Sequence, residues 1–231
     1  RNRFFGPYRR ALLIDANLTA FDDIMYMKDV TVWDEQEQYA LSIHDAIPAI
    51  HGQILLEGAS GLGKSMFVRY LLKYCTKPVV YLPAEKCTEG VVEAILPKLQ
   101  GECRDARFLQ ALVCEGALDL CIDGLDAIST RNQVKVTHFL TKSCRGNVLV
   151  ATQSTERMAW ETYAIYCMRP LRQDQIEGFL RLCYRLLPED VPMSRAEYVL
   201  VCDAYLQQVL DTTMSEEETT LRDQVLTNPM N

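Results

Sequence analysis

Eight consecutive residues, 58–65, have the types and the spacing of a loop that binds phosphate. They read GASGLGKS and fit the pattern GxxxxGK[ST], with an apolar run before them and a helical pattern after them. Glycines let successive backbone N–H groups converge on one phosphate, and the N-terminus of the following helix adds its positive end. The alternative is a glycine-rich turn with an unrelated lysine, which chance produces in on the order of 1% of chains of this length.

The loop pattern predicts a role for two of its side chains and for the backbone around them. Lys64 is expected to pair with the β- and γ-phosphates of a nucleotide, and the Ser65 hydroxyl is expected to bind Mg²⁺. The predicted nucleotide-binding residues are Gly58, Ala59, Ser60, Gly61, Leu62, Gly63, Lys64, Ser65 and Met66.

An apolar run that ends in Asp123 supplies the acid that such a loop needs. Asp123 closes the sequence LDLCID and is expected to hold the magnesium ion through its water shell. Gly124 follows it, so the nearest second acid is Asp126, which either orients the attacking water or caps the loop or the next helix. The polar residues 152–154 at the end of the next strand either sense the γ-phosphate or cap that strand. Lys64, Asp123 and Asp126 are therefore the candidate catalytic residues.

Short apolar runs alternate with helical patterns along the chain, which is typical of an α/β fold with a parallel sheet. The predicted strands span residues 53–56, 78–82, 118–122, 148–151 and 165–168. One of them separates the two motif strands in sequence, a spacing that suits a sheet with an inserted strand between those two. The predicted helices span residues 64–74, 91–99, 107–114, 133–142, 173–184, 195–210 and 216–226. We predict an N-terminal segment (1–50) with a helix near 35–47, a nucleotide-binding domain (51–169) and a helical domain (170–231).

Composition and charge argue against several classes of protein. A net charge of −7 argues against nucleic acid as a partner, and no apolar stretch is long enough for a membrane segment. The nine cysteines form no CxxC pair, and the three histidines have no metal-ligand spacing with them. We expect free thiols in a reducing cytoplasm and no zinc site. Because the first residue is arginine and no signal segment follows it, we expect a piece of a longer cytoplasmic protein.

Four segments together resemble the NACHT-type STAND ATPases, signalling switches related to AAA+ proteins. They are the P-loop GASGLGKS, the acidic segment LCIDGLDA, the RPL segment at 169–171 and LTNPM at 226–230. The resemblance implies an α/β fold, a P-loop NTPase three-layer sandwich with a five-stranded parallel sheet, followed by a small helical domain. It also implies that Asp123 is the metal-site acid, Asp126 the candidate catalytic acid and Pro229 an adenine contact.

The same resemblance implies a nucleotide-dependent switch. ATP or ADP with Mg²⁺ would lie between the two domains, and slow hydrolysis and exchange would change the angle between them. The implied partners are effector and sensor domains of a longer chain and further copies in a ligand-induced self-association. Ala127 and Ser154 stand where the family often has Glu and Arg, which affects hydrolysis more than binding. Three interpretations stay open beside the switch: an AAA+-like motor or loader, a small-molecule kinase, and a nucleotide-binding scaffold without turnover.

Overall fold

Seven strands form one mixed sheet in the computed structural model of the chain. The structure describes residues 31–34, 37–47, 50–74, 79–98, 105–153, 164–188 and 190–210. The strands are β1 (Thr31–Asp34), β2 (Tyr39–Ser42), β3 (Gln53–Glu57), β4 (Val79–Pro83), β5 (Asp119–Asp123), β6 (Val148–Thr152) and β7 (Ala164–Met168). Their order across the sheet is β2-β1-β7-β3-β6-β5-β4. The strands from β7 to β4 are parallel, whereas β1 is antiparallel to both β7 and β2.

The prediction of a five-stranded parallel sheet is wrong in two respects: the sheet has seven described strands, and the strands at one edge are antiparallel. All the predicted strands are present and parallel, but the hairpin β1–β2 adds two antiparallel strands beside β7. The predicted helix near 35–47 is also wrong, because β2 occupies Tyr39–Ser42 and the helix is confined to Ile43–Ala46.

The hairpin follows from two local features, the alternating burial of β1 and the turn that begins at Asp34. In β1, Val32 and Asp34 are buried while Trp33 is half-exposed, which is the alternation of a strand. Asp34 closes the turn: the backbone N–H of Glu37 donates to Asp34 Oδ1 at 3.1 Å, and that of Gln38 donates to the Asp34 carbonyl at 2.9 Å. Gln38 reverses the chain with a φ of 58°. The side chain and the carbonyl of Asp34 therefore close a turn between the two strands.

The helices agree with the predicted pattern along the rest of the described chain. They are α1 (Ile43–Ala46), α2 (Lys64–Tyr74), α3 (Val91–Ile95), α4 (Ala106–Cys114), α5 (Thr130–Ser143), α6 (Gln173–Leu182) and α7 (Arg195–Leu210). Short 3₁₀ turns occupy Ala84–Cys87, Leu96–Lys98, Leu125–Ala127 and Cys183–Leu186. The predicted helix at 216–226 lies outside the described residues.

The central strands are buried on both faces of the sheet, which explains why they read as nearly continuous apolar runs. On one face, strand residues pack with side chains of α3, α4 and α5, a cluster that includes Val150, Ile95 and Leu140. On the other face, strand residues such as Ile54 pack with side chains of α2, including Phe67. Neighbouring residues of β3 and of β6 alternate between the two clusters.

The helices that follow β7 pack against each other and against the second of these clusters. Between α6 and α7, Arg181 Nη2 lies 3.0 Å from Asp203 Oδ1, and the Tyr198 hydroxyl donates to the Leu180 carbonyl at 3.0 Å. Ile176 of α6 and Leu206 of α7 are both buried in the apolar cluster that contains the core side of α2. The helix that begins at Lys64 and the two last described helices thus share one buried surface.

Candidate phosphate-binding site

Glycines shape the loop that connects β3 to α2. The loop covers residues 58–63, between the end of β3 and the first residue of α2. Gly61 and Gly63 have φ angles of 82° and 91°, in the left-handed region that other residues rarely adopt. The turn therefore requires glycine at these positions for its backbone conformation.

Each end of the loop is held by a different contact. At Gly58 the limit is space, because a Cβ there would lie 2.9 Å from the Cβ of Met168, the last residue of β7. At the other end, the backbone N–H of Phe67 donates to the Gly63 carbonyl at 2.9 Å, and the Phe67 side chain is fully buried. The loop thus sits between a strand end and a helix start whose positions the core determines.

Lys64 extends its side chain back over this loop. Its Nζ donates to the carbonyl oxygens of Gly58 at 2.5 Å and of Ala59 at 2.9 Å. Burial lowers the pKa of the half-buried Lys64, and the negative charges of Asp126 and Asp123 act in the opposite direction. One ammonium group therefore lies in the glycine loop and in the field of both predicted acids.

The other residues of the predicted loop differ in what they can offer a ligand. Ala59, Ser60 and Ser65 are exposed. The Met66 side chain is 3% exposed and belongs to the core, and Arg69 Nη1 donates to its Sδ at 3.6 Å. Met66 thus belongs to the core and offers little surface to a ligand.

Asp123 ends β5, on the same edge of the sheet as the loop. Strand β6 lies between β3 and β5, as the spacing of the motifs predicted. In a parallel sheet the carboxyl ends of neighbouring strands face one edge, so β3, β6 and β5 deliver their loops to one place. Asp123 Oδ2 accepts a hydrogen bond from the Tyr81 hydroxyl at 3.1 Å.

Tyr81 is a member of the site that the sequence pattern does not indicate. It lies on β4, opposite Cys121 in the parallel register, so Asp123 is its diagonal neighbour two residues further on. Burial, the charge of Asp123 and the hydrogen bond to it all raise the pKa of Tyr81. An aromatic residue in the middle of an apolar run reads as core, and only the strand register shows where its hydroxyl lies.

Asp126 has a structural partner at the end of β6. Gly124 has a φ of 75° and turns the chain into the 3₁₀ turn Leu125–Ala127. From that turn, Asp126 Oδ1 accepts a hydrogen bond from the backbone N–H of Gln153 at 2.8 Å. The loop-capping role that the sequence left open is therefore present, and the catalytic role of Asp126 stays a prediction.

The residues present suit a magnesium ion shared with a phosphate. Mg²⁺ prefers oxygen ligands, keeps several waters and is usually bound by one or two protein groups together with substrate phosphates. The Ser65 hydroxyl on α2 and the Asp123 carboxylate on β5 are such groups. The helix and the strand that carry them contact each other. Within the described ranges, no three His, Cys, Asp or Glu side chains form a cluster that could hold a metal by themselves.

Of three further predicted positions, only Thr152 belongs to the part of the chain that the structure describes. Thr152, at the end of β6, is 2% exposed, so it is a buried part of the strand end. Ser154 and the predicted adenine contact Pro229 lie outside the described residues.

Comparison with protein-family models and with curated proteins finds no match to this chain. In the described part of the chain, no helix combines the length and the apolar character needed to cross a membrane.

Proposed function

We propose that this chain is the nucleotide-binding core of an ATP/ADP-dependent switch of the NACHT-type STAND class, which binds Mg-ATP and hydrolyses it slowly. The observation that carries the proposal is the position of Lys64. Its ammonium group lies over the glycine loop and in the field of Asp123 and Asp126. A triphosphate bound by the loop would meet this cation and the metal-site acid together.

The order of the strands supports a P-loop NTPase three-layer sandwich as the underlying fold. The loop strand β3 and the acid strand β5 flank the inserted strand β6, and β7 and β4 lie on either side of this group. Branches of the P-loop NTPases with an inserted strand share this arrangement. The hairpin β1–β2 is an addition at the β7 edge.

Each group of the site has a physical task in this proposal. The N–H groups of residues 58–65 would bind phosphate oxygens, and the Lys64 ammonium would exchange carbonyl oxygens for phosphate oxygens. Ser65 and Asp123 would hold Mg²⁺, which supplies charge neutralisation between the β- and γ-phosphates when bound. Asp126 already uses one carboxylate oxygen to hold the end of β6, which limits its freedom to orient water.

Two features favour a switch: residues that favour slow hydrolysis, and a buried surface shared by the helices. The hydrogen bond from Gln153 to Asp126, and alanine at position 127, favour long-lived bound states over rapid hydrolysis. The helices after β7 share an apolar cluster with α2, which carries Lys64. A nucleotide that moves the start of α2 would therefore change the packing of α6 and α7.

The first experiment is mass identification of nucleotide released from the purified, denatured protein, followed by affinity measurements on Lys64→Ala. We expect ATP or ADP to be released and the variant to lose affinity by about 10- to 100-fold, the cost of losing hydrogen bonds to a charged group. Lys142→Ala is the matched control, because Lys142 is an exposed lysine of α5 outside the site. Equal affinity of Lys64→Ala and the unaltered protein would refute phosphate binding by this loop.

A second candidate function, a nucleotide-binding scaffold without turnover, is favoured by the same structural use of Asp126. Measuring the ATPase rate beside nucleotide retention separates the two, since retention with no turnover at all indicates the scaffold. Size-exclusion chromatography with ATP separates the switch from a ring-forming motor or loader. The switch core alone is expected to stay monomeric.

A further inference from the structure

The carboxylate of Asp123 has a neighbour that is itself held in place. Tyr81 is half-buried on β4, and its hydroxyl lies 3.1 Å from Asp123 Oδ2. A carboxylate can only accept, so the phenol O–H is the donor in this bond. One of the two oxygens of Asp123 is thus engaged by the protein.

Tyr81 is fixed a second time, by a buried lysine. Lys98, which is 8% exposed, donates from Nζ to the Tyr81 carbonyl at 2.9 Å. The same Nζ lies 5.9 Å from the centroid of the Tyr81 ring, within the range of a cation–π contact. Among the described strands β4 is the last of the sheet, and Lys98 supplies a side-chain donor to one of its backbone carbonyls.

We infer that Tyr81 is a positioning residue for the metal-site carboxylate: its hydroxyl holds Asp123 Oδ2 so that the other oxygen faces the water shell of Mg²⁺. This inference rests on the proposed function. Groups that hydrogen-bond a metal-binding carboxylate fix its orientation, and their loss typically weakens metal binding by about 10- to 100-fold. Tyr81 is not expected to touch the nucleotide, so its effect should depend on the metal.

The test compares nucleotide affinity in excess Mg²⁺ with affinity in EDTA, using ADP as the probe. Tyr81→Phe keeps the ring beside Lys98 and removes the hydroxyl. We therefore expect the Mg²⁺ enhancement, the ratio of the ADP affinity in Mg²⁺ to that in EDTA, to fall by about tenfold, with little change in the affinity in EDTA. Tyr198→Phe is the matched control, since it also removes a tyrosine hydrogen bond, to the Leu180 carbonyl in the helical part. The control should keep the full enhancement.

A double-mutant comparison separates positioning from a general loss of structure. If Tyr81 acts through Asp123, then Tyr81→Phe in an Asp123→Asn background should cause no further loss of the Mg²⁺ enhancement. Lys98→Met offers a second route, because it keeps the hydroxyl but releases the backbone of Tyr81, and it should lower the enhancement by a smaller factor. Circular dichroism establishes that each variant is folded.

The possible failures are distinguishable from one another. The positioning role is overturned if Tyr81→Phe has an unchanged Mg²⁺ enhancement, or if it loses nucleotide affinity equally with and without Mg²⁺. The proposed function still stands in that case, provided that the unaltered protein binds nucleotide. No nucleotide binding by the unaltered protein, with or without Mg²⁺, would instead overturn the proposed function itself.

Discussion

Gly58→Ala tests a close approach at the candidate site, between the glycine loop and the end of β7. The added Cβ would lie 2.9 Å from Met168 Cβ and 3.4 Å from Leu62 Cδ1. Carbon atoms in contact are about 3.5–4.0 Å apart, so the loop or the end of β7 must move by about half an ångström or more. Added methyl groups in a packed site cost about 1–3 kcal/mol. We expect the free energy of unfolding to fall by about that amount.

Gly178→Ala provides a control of opposite sign within the same chain. Gly178 lies in α6, and nothing lies within 4 Å of the position of an added Cβ. Alanine is more favourable than glycine inside a helix by about 0.5–1 kcal/mol. The same added methyl group should therefore stabilise the protein at Gly178 and destabilise it at Gly58.

Chemical denaturation followed by circular dichroism measures both changes, and nucleotide affinity measures the shift of the loop. Because the close contact is between two Cβ atoms, Met168→Ala should not rescue Gly58→Ala, whereas Met168→Gly removes the contacting atom. A Gly58→Ala variant within about 0.5 kcal/mol of the unaltered protein, the range of a neutral surface substitution, would refute this reasoning.

Two further outcomes can be predicted from single side chains. Burial raises the pKa of the Cys87 thiol from 9.0 to about 11, so the folded protein keeps a proton that the unfolded chain has lost. The stability that this proton contributes should therefore be lost as the pH rises from about 9 to about 11. Denaturant titration at each pH measures the free energy of unfolding, and in Cys87→Ala this free energy should decrease less over the same pH range. Asp126→Asn keeps an oxygen acceptor for the Gln153 N–H and should change the free energy of unfolding by less than about 1 kcal/mol, whereas Asp126→Ala should lose about 1–3 kcal/mol. Urea denaturation of the two variants measures the difference, and equal losses would contradict the capping role.

The parts of the fold that could be predicted are those with a strong local pattern. The helix Lys64–Tyr74 has the predicted bounds, because the glycine loop starts it and its apolar residues repeat at helical spacing. The parallel strands were predictable because burial on both faces makes them continuous apolar runs. The loop and the end of β5 follow from these elements, since the motifs mark their carboxyl ends.

The remaining features depend on an ambiguous local signal or on contacts between residues far apart in sequence. In the stretch predicted as a helix near 35–47, the described residues instead form the turn and strand β2 of the hairpin, and Asp34 accepts the backbone hydrogen bonds of that turn. Tyr81 was missed because its partner Asp123 is set by the register of β4 on β5. The contact of Gly58 with Met168 depends on the pairing of β3 with β7, which no local pattern reveals.

Because both ends of the glycine loop are fixed, the loop loses conformational entropy when the chain folds and not when a ligand binds. Gly58 against Met168 and the Gly63–Phe67 hydrogen bond restrict the loop as soon as the core forms. Restricting one residue costs about 1–2 kcal/mol at 25 °C, and a preorganised loop does not bear this cost again during association. Truncation of the buried Phe67 side chain, which packs in the core next to the loop, should then weaken ligand association by releasing this preorganisation.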